Sequence, residues 1–184
     1  MNLPVRLAPD TRARFTAAEF LRMGEAGAFE GMKVELVAGE LERMNPPLGG
    51  HSTRQAMVIG ALWQAARGST LTVLAETSVQ VDDSTIVACD AALARRPLGD
   101  REPARPDVLL LVVEVSETTQ ARDLSLKRLL YAAAGIPTYW VVDGARAVVH
   151  IHAEPIDGDY ADIRTVRFGA PLPVPGTDAQ VTLG

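Results

Sequence analysis

Apolar and polar positions along the chain recur with two periods, and the switches between them mark the elements. Thr16-Ala-Ala-Glu19 is a capping box, with Thr16 as N-cap and Glu19 reaching back to it. It predicts a short helix to about Met23, stopped by Gly24 or Gly27. Lys33–Met44 alternates on either side of Ala38-Gly39, as a β-hairpin does. His51–Arg67 places apolar residues at Met57, Ile59, Ala61, Leu62 and Ala65 and stops at Gly68, which predicts a helix. Strands follow at Leu71–Val81 and Ile86–Leu93 around an Asp82-Asp83-Ser84 turn. Arg95–Pro106 reads as a charged loop. Val108–Val115 is apolar except for Glu114, the signature of a strand covered on both faces at the centre of a sheet.

Asp123–Ala134 predicts a helix with Asp123 as N-cap, Gly135 as C-cap and Pro137 beyond. Thr138–Asp143 and Ala147–His152 are strands around Asp143-Gly144. From Pro155 onward the chain reads as a loop with weak strand signals, and residues 1–14 read as a mobile lead-in. Strand 108–115, helix 123–134 and strand 138–143 form a βαβ unit, which requires a parallel pair, while the hairpins require antiparallel ones. The expected class is α/β, a mixed sheet flanked by helices. No repeat or linker divides the chain, so residues 15–184 are expected to form one domain.

Composition narrows the functional classes. The 184 residues suffice for a real core. No apolar run reaches the roughly 18 residues that span a bilayer, and the N-terminus lacks a secretory apolar stretch. Cys89 is the only cysteine, so no internal disulfide forms, and a cytoplasmic location fits. The formal net charge of −5 argues against coating nucleic acid by bulk charge, though not against a local arginine patch.

The candidate chemistry lies in Asp90, Glu114 and Lys127. Both acids sit among apolar strand residues, where a carboxylate is costly unless it is paired or holds a cation. Of 18 basic residues only Lys33 and Lys127 are lysines, so the ammonium at 127 stands out from a background of arginine. Two acids that converge beside a lysine suit a hard-metal site for phosphodiester hydrolysis.

These residues carry a resemblance. Glu35-Leu-Val-Ala-Gly-Glu-Leu41 with Pro46-Pro47, Cys89-Asp90, Val113-Glu-Val-Ser116, Asp123 and Lys127, and Tyr131 through Asp143 resemble the Uma2 family, restriction-endonuclease-like proteins of the PD-(D/E)XK superfamily. The similarity covers roughly residues 15–165, and Glu114–Asp143 is its specific part. It implies a restriction-endonuclease-like fold and a site of Glu35, Asp90, Glu114 and Lys127. The acids, Asp90, Glu114 and Glu35, would hold Mg²⁺ or Mn²⁺, and the lysine would help activate water. Two departures stand out: Cys89 replaces the proline of the Pro-Asp pair, and Ser116 stands where a literal Glu-x-Lys would put the lysine, which here moves to the helix. The implied activity is DNA endonuclease, with DNA as partner, no membrane, and a homodimer as a compatible assembly. The alternative is a catalytically degenerate member that binds nucleic acid or protein through the same cleft.

Each candidate has a plainer reading. Asp107 of Pro106-Asp107 lies too far along its strand from Glu114 and reads as a strand-start residue. Glu35 alternates as any half-exposed strand residue would. Lys127 could pair with Asp123 on a solvated helix face. Ser116 is turn chemistry or a contact to phosphate. His150 and His152 read as a solvated strand face rather than a zinc pair, since no third ligand completes a set. His51 lines the cleft or caps its helix. Tyr139-Trp140 and Cys89 read as packing.

Overall fold

The computed structural model describes residues 12–116 and 123–184; most of the predicted lead-in lies outside them, as does the Asp123 side chain with its predicted capping role. Helix α1, Ala17–Glu25, opens on the expected capping box, with Thr16 N–H donating to Glu19 Oε2 at 2.8 Å and Glu19 N–H to Thr16 Oγ1 at 3.2 Å. Strands β1, Lys33–Val37, and β2, Glu40–Met44, turn through Ala38 (φ 50°) and Gly39 (φ 82°), the two left-handed residues of a tight hairpin. Helix α2 spans Gly49–Ala65. Strands β3, Thr72–Asp82, and β4, Thr85–Ala94, form a long hairpin, and β5 follows at Leu109–Ser116. A π-helical turn, Asp123–Lys127, leads into helix α3, Arg128–Ala133, where the sequence predicted uninterrupted α-helix. Strands β6, Thr138–Asp143, β7, Val148–Ile156, and β8, Asp159–Arg167, complete the main sheet. A two-stranded ribbon of β9, Leu172–Pro173, and β10, Gln180–Val181, ends the chain.

The main sheet runs β2-β1-β4-β5-β6-β7-β8, with β3 also on β4. β5 is central, as its composition requires, and pairs in parallel with β6 from Val112↔Tyr139 to Ser116↔Asp143; its partner on the other side, β4, is antiparallel. The fold is thus mixed α/β with a mostly antiparallel sheet. All eight residues of β5 are buried. Leu111, Val113 and Val115 meet Val58 and Leu62 of α2 in one core, which also holds Trp140 and Val142. Val112 faces the other core, with Tyr131 and Ala132 of α3, Tyr139 and Val141. The uninterrupted apolar run therefore serves two opposite faces at once.

Two expectations are corrected. The segment after His152 is strand, not loop: β7 continues through Pro155 and turns at Asp157 (φ 51°) and Gly158 (φ 82°) into β8. β8 is an edge strand with a largely polar, solvated face, which hid it from an apolar pattern. His152 is buried rather than solvated, stacked on Tyr139 at 5.4 Å with Tyr160 at 5.9 Å.

Burial pushes the His152 imidazole down to about 4 from its ordinary 6.5, because the apolar surroundings disfavour its charged form. The unfolded chain therefore binds the extra proton first. Stability contributed by the neutral ring is present above the unfolded value and is lost as pH falls from about 6.5 toward 4. Thermal midpoints measured across that range should fall more steeply for the wild type than for His152→Phe; parallel curves would remove His152 from the account.

Candidate active site

The site lies in a gap between strands. β3 pairs with β4 from Thr85 to Ala94 and so occupies one whole edge of it. On the remaining edge, β1 touches β4 only at Leu36↔Ile86, and β5 joins it from Ala91↔Val113. Between these contacts the backbone of β4 has no strand beside it, and its peptide groups need other partners. Glu35, in the middle of β1 and one residue before Leu36, accepts the Ala88 N–H at 2.9 Å. Lys127 donates to the Ala88 carbonyl at 2.7 Å.

Lys127 also lies 2.8 Å from Glu114 Oε1 and 3.3 Å from Glu35 Oε1, so three acceptors surround an ammonium with three N–H bonds. Glu114 Oε1 further accepts the Tyr131 hydroxyl at 3.1 Å. Lys127, Glu114 and Glu35 are 3%, 5% and 1% exposed. This overturns the reading of Lys127 as a solvated helix lysine, and that of Glu35 as a half-exposed strand residue. The π-helical turn delivers Lys127 to the gap, and α3 brings Tyr131 to the same carboxylate one turn later.

Asp90 reaches the gap from the side of α2. Its Oδ2 accepts the Val115 N–H at 2.6 Å and lies 3.2 Å from His51 Nε2. The alternation of β4 slips here: Val87, Cys89, Ala92 and Ala94 face the α3 core, but Ala91 and Leu93 face the α2 core. Opposite the slip, Glu76 of β3 takes a left-handed φ of 44°, costly for a residue with a side chain and one that the regular β3–β4 pairing skips. Asp90 is thereby set between the faces, its carboxylate against the backbone of β5, one residue beyond Glu114. Gln55, buried on α2, donates to the Asp90 carbonyl at 3.0 Å and lies 3.5 Å from Glu76 Oε1.

The gap therefore brings all four predicted residues together, but not as one carboxylate cluster. Glu35 and Glu114 clasp Lys127 from the α3 side, and Asp90 leans on His51 and Val115 from the α2 side. Among the described residues, no three histidine, cysteine or carboxylate side chains are close enough to hold a metal by themselves. Glu35 and Glu114 share one buried lysine, and Asp90 adds a third carboxylate to the gap, an excess of negative charge in a mostly buried place. Burial, and then the Glu114 charge, raise the Tyr131 hydroxyl well above its ordinary range, so it stays a hydrogen-bond donor. Burial first and Glu114 second also raise the Cys89 thiol, which fits packing and not nucleophilic chemistry.

Ser116 is buried and its Oγ has no hydrogen bond among the described residues. Asp107 sits in a 3₁₀ turn, Pro106–Val108, at the far end of β5 from Glu114. A cavity of about 430 Å³ opens between α2 and the turn after β6, lined by Thr53, Arg54, Met57, Gly144 and Phe168 among others. The Arg54 guanidinium lies so close to Gly144 that a Cβ there would collide with it.

Sequence reasoning missed Tyr131, Gln55 and Glu76. Tyr131 stands four residues after Lys127, and Gln55 four after His51; that spacing puts each pair on one helix face and was the available signal. Glu76 gave none, since nothing in an alternating strand announces a left-handed residue.

The fold is a mixed sheet whose central strands leave a gap that holds a lysine and three acids. The sequence matches the family model of Uma2, described as putative restriction endonuclease, over residues 17–183, and the chain belongs to that family. Among solved structures it is similar to a putative nuclease belonging to DUF820 from Anabaena variabilis, with a TM-score of 0.64 and 15% identity over 81% of this chain and 86% of that one. At that identity the likeness establishes the fold. No curated protein matches the chain.

One ammonium serves two buried carboxylates, so removing it leaves charge without a partner. Lys127→Met should cost about 3–5 kcal/mol of stability in urea titration, and adding Glu35→Gln and Glu114→Gln should recover part of it. A loss below about 1 kcal/mol would be the value of a surface pair and would contradict the counter-ion role.

Proposed function

We propose that the chain is a metal-dependent deoxyribonuclease that hydrolyses phosphodiester bonds in DNA at the gap beside β4. The observation that carries this reading is the joint burial of Glu35, Glu114 and Lys127 next to an Asp90 pinned by the Val115 amide. A purely structural ion pair needs one acid for one lysine, whereas this gap holds three acids and one lysine, two acids more than the lysine balances.

The donor set suits Mg²⁺ or Mn²⁺. It is all oxygen, its charge excess is negative, and Asp90 Oδ1 has no hydrogen bond from the described residues. Asp90 and Glu114 would hold the ion, with Glu35 in support, and water and substrate oxygens would complete its shell. When bound, the metal supplies Lewis-acid polarisation of a phosphoryl oxygen and a more acidic water.

The protein's own groups have separable tasks. Lys127 presents a full positive charge beside Glu114, suited to offsetting negative charge that develops on the transferring phosphate. As an ammonium held by two carboxylates and a carbonyl it has no lone pair to take a proton, so its role in this reading is electrostatic. Tyr131, fully buried, holds Glu114 through its hydroxyl. The apolar walls of both cores lower the local dielectric and strengthen each of these interactions.

A second reading, a non-cleaving module that binds nucleic acid through the same cleft, is favoured by that same saturation of Lys127. The two separate on plasmid and single-stranded DNA incubated with Mn²⁺, Mg²⁺ or chelator, beside Asp90→Asn and Glu114→Gln. The expected result is metal-dependent cleavage reduced at least about 10²-fold in either variant. DNA retention with no cleavage above the variants would favour the binding module.

A further inference from the structure

Asp90 is held at three points, and two of them come from one helix. Val115 N–H and His51 both meet Oδ2, at 2.6 and 3.2 Å, and Gln55 donates to the residue's own carbonyl at 3.0 Å. His51 and Gln55 stand four residues apart on the first turns of α2, so both project toward the sheet. The same helix buries Val58 and Leu62 in the core further along, which fixes its distance from β4. A carboxylate only accepts, so the imidazole Nε2 must carry the hydrogen it shares with Oδ2. Both bonds to the side chain fall on one oxygen; Oδ1 is left without a hydrogen bond from the described residues. The two side chains are 21% and 17% exposed, buried enough for the bond to be held and open enough for an ion to enter.

We infer that His51 is a positioning residue: it locks the Asp90 carboxylate in the one rotation that presents Oδ1 to a divalent cation. This rests on the reading of Asp90 as a metal ligand. The physical argument is that a carboxylate with one oxygen tied twice cannot swing to reclaim its second oxygen for the protein. Its rotational freedom is removed before the ion arrives, and the ion then meets an oriented ligand. Gln55 does the same for the backbone, holding the slipped segment of β4 against α2. Helix α2 thus acts as the outer support of the site, while α3 supplies Lys127 and Tyr131 from the other face.

The test is Mn²⁺ binding by calorimetry without DNA, with thermal midpoints recorded beside it, for wild type, His51→Phe, His51→Ala, His51→Gln and Asp90→Asn. His51→Phe and His51→Ala should weaken Mn²⁺ about 10–100-fold, and His51→Gln, whose amide N–H can take the place of Nε2, should stay within about threefold of wild type. His51 opens an exposed helix turn, so folded midpoints are expected for all; His51→Ala carries the test if the phenylalanine does not fit. Unchanged Mn²⁺ affinity in both donor-less variants, with binding lost in Asp90→Asn, would overturn the positioning role and leave the metal reading intact. Loss in His51→Gln equal to that in His51→Phe would overturn it too, by requiring the imidazole itself. Wild-type affinity in Asp90→Asn would remove the metal from Asp90 and the inference with it.

Discussion

The structure depends on one unmet backbone requirement, the Ala88 peptide group on the open edge of β4. An N–H and C=O left without partners out of water cost on the order of 1–3 kcal/mol each; Ala88 itself is exposed, but the two side chains that bond its peptide group in the gap between β1 and β5 are buried. Glu35 takes the N–H and Lys127 takes the C=O. Those two choices propagate. A buried ammonium needs carboxylates, which brings in Glu114; a carboxylate already serving the ammonium gains a neutral donor, which brings in Tyr131. The gap is thus filled by side chains of opposite charge where an ordinary sheet would have a strand.

Buried ion pairs are weak contributors to stability, because desolvation consumes most of their attraction. Their presence here has a different physical logic. The two apolar cores could close over a hydrophobic plug as easily, and the chain instead maintains acids that repel one another unless a cation is near. Tertiary packing holds them in place: β5 is buried along its full length, and α2 and α3 press on it from opposite faces. The rigid walls make a high-energy arrangement of charges persist.

Much of this was legible in the residues. The capping box at Thr16, the Ala38-Gly39 hairpin, the central strand and the parallel β5–β6 pair all follow from periodicity and turn chemistry. Asp90, Glu114 and Lys127 stood out because charge in an apolar setting is costly, and Glu35 came only through the family resemblance. What stayed hidden was geometry with no periodic trace. The slip at Asp90 and the left-handed Glu76 arise from how three strands meet. The β8 strand carries a polar solvated face, and the burial of His152 depends on Tyr139 and Tyr160, each from a different strand. The π-helical entry to α3 reads as plain helix in the sequence, since nothing in its residues marks a wider turn.

The close approach of Arg54 to Gly144 has a consequence for how such sequences can change. The turn after β6 and the second turn of α2 share a space in which a side chain at 144 would displace the guanidinium from its present seat. The obstacle is the far end of a long flexible side chain, so the arginine can swing aside and the backbone need not move. A side chain gained at 144 would therefore cost this wall of the cavity its positive charge while leaving the fold as it is.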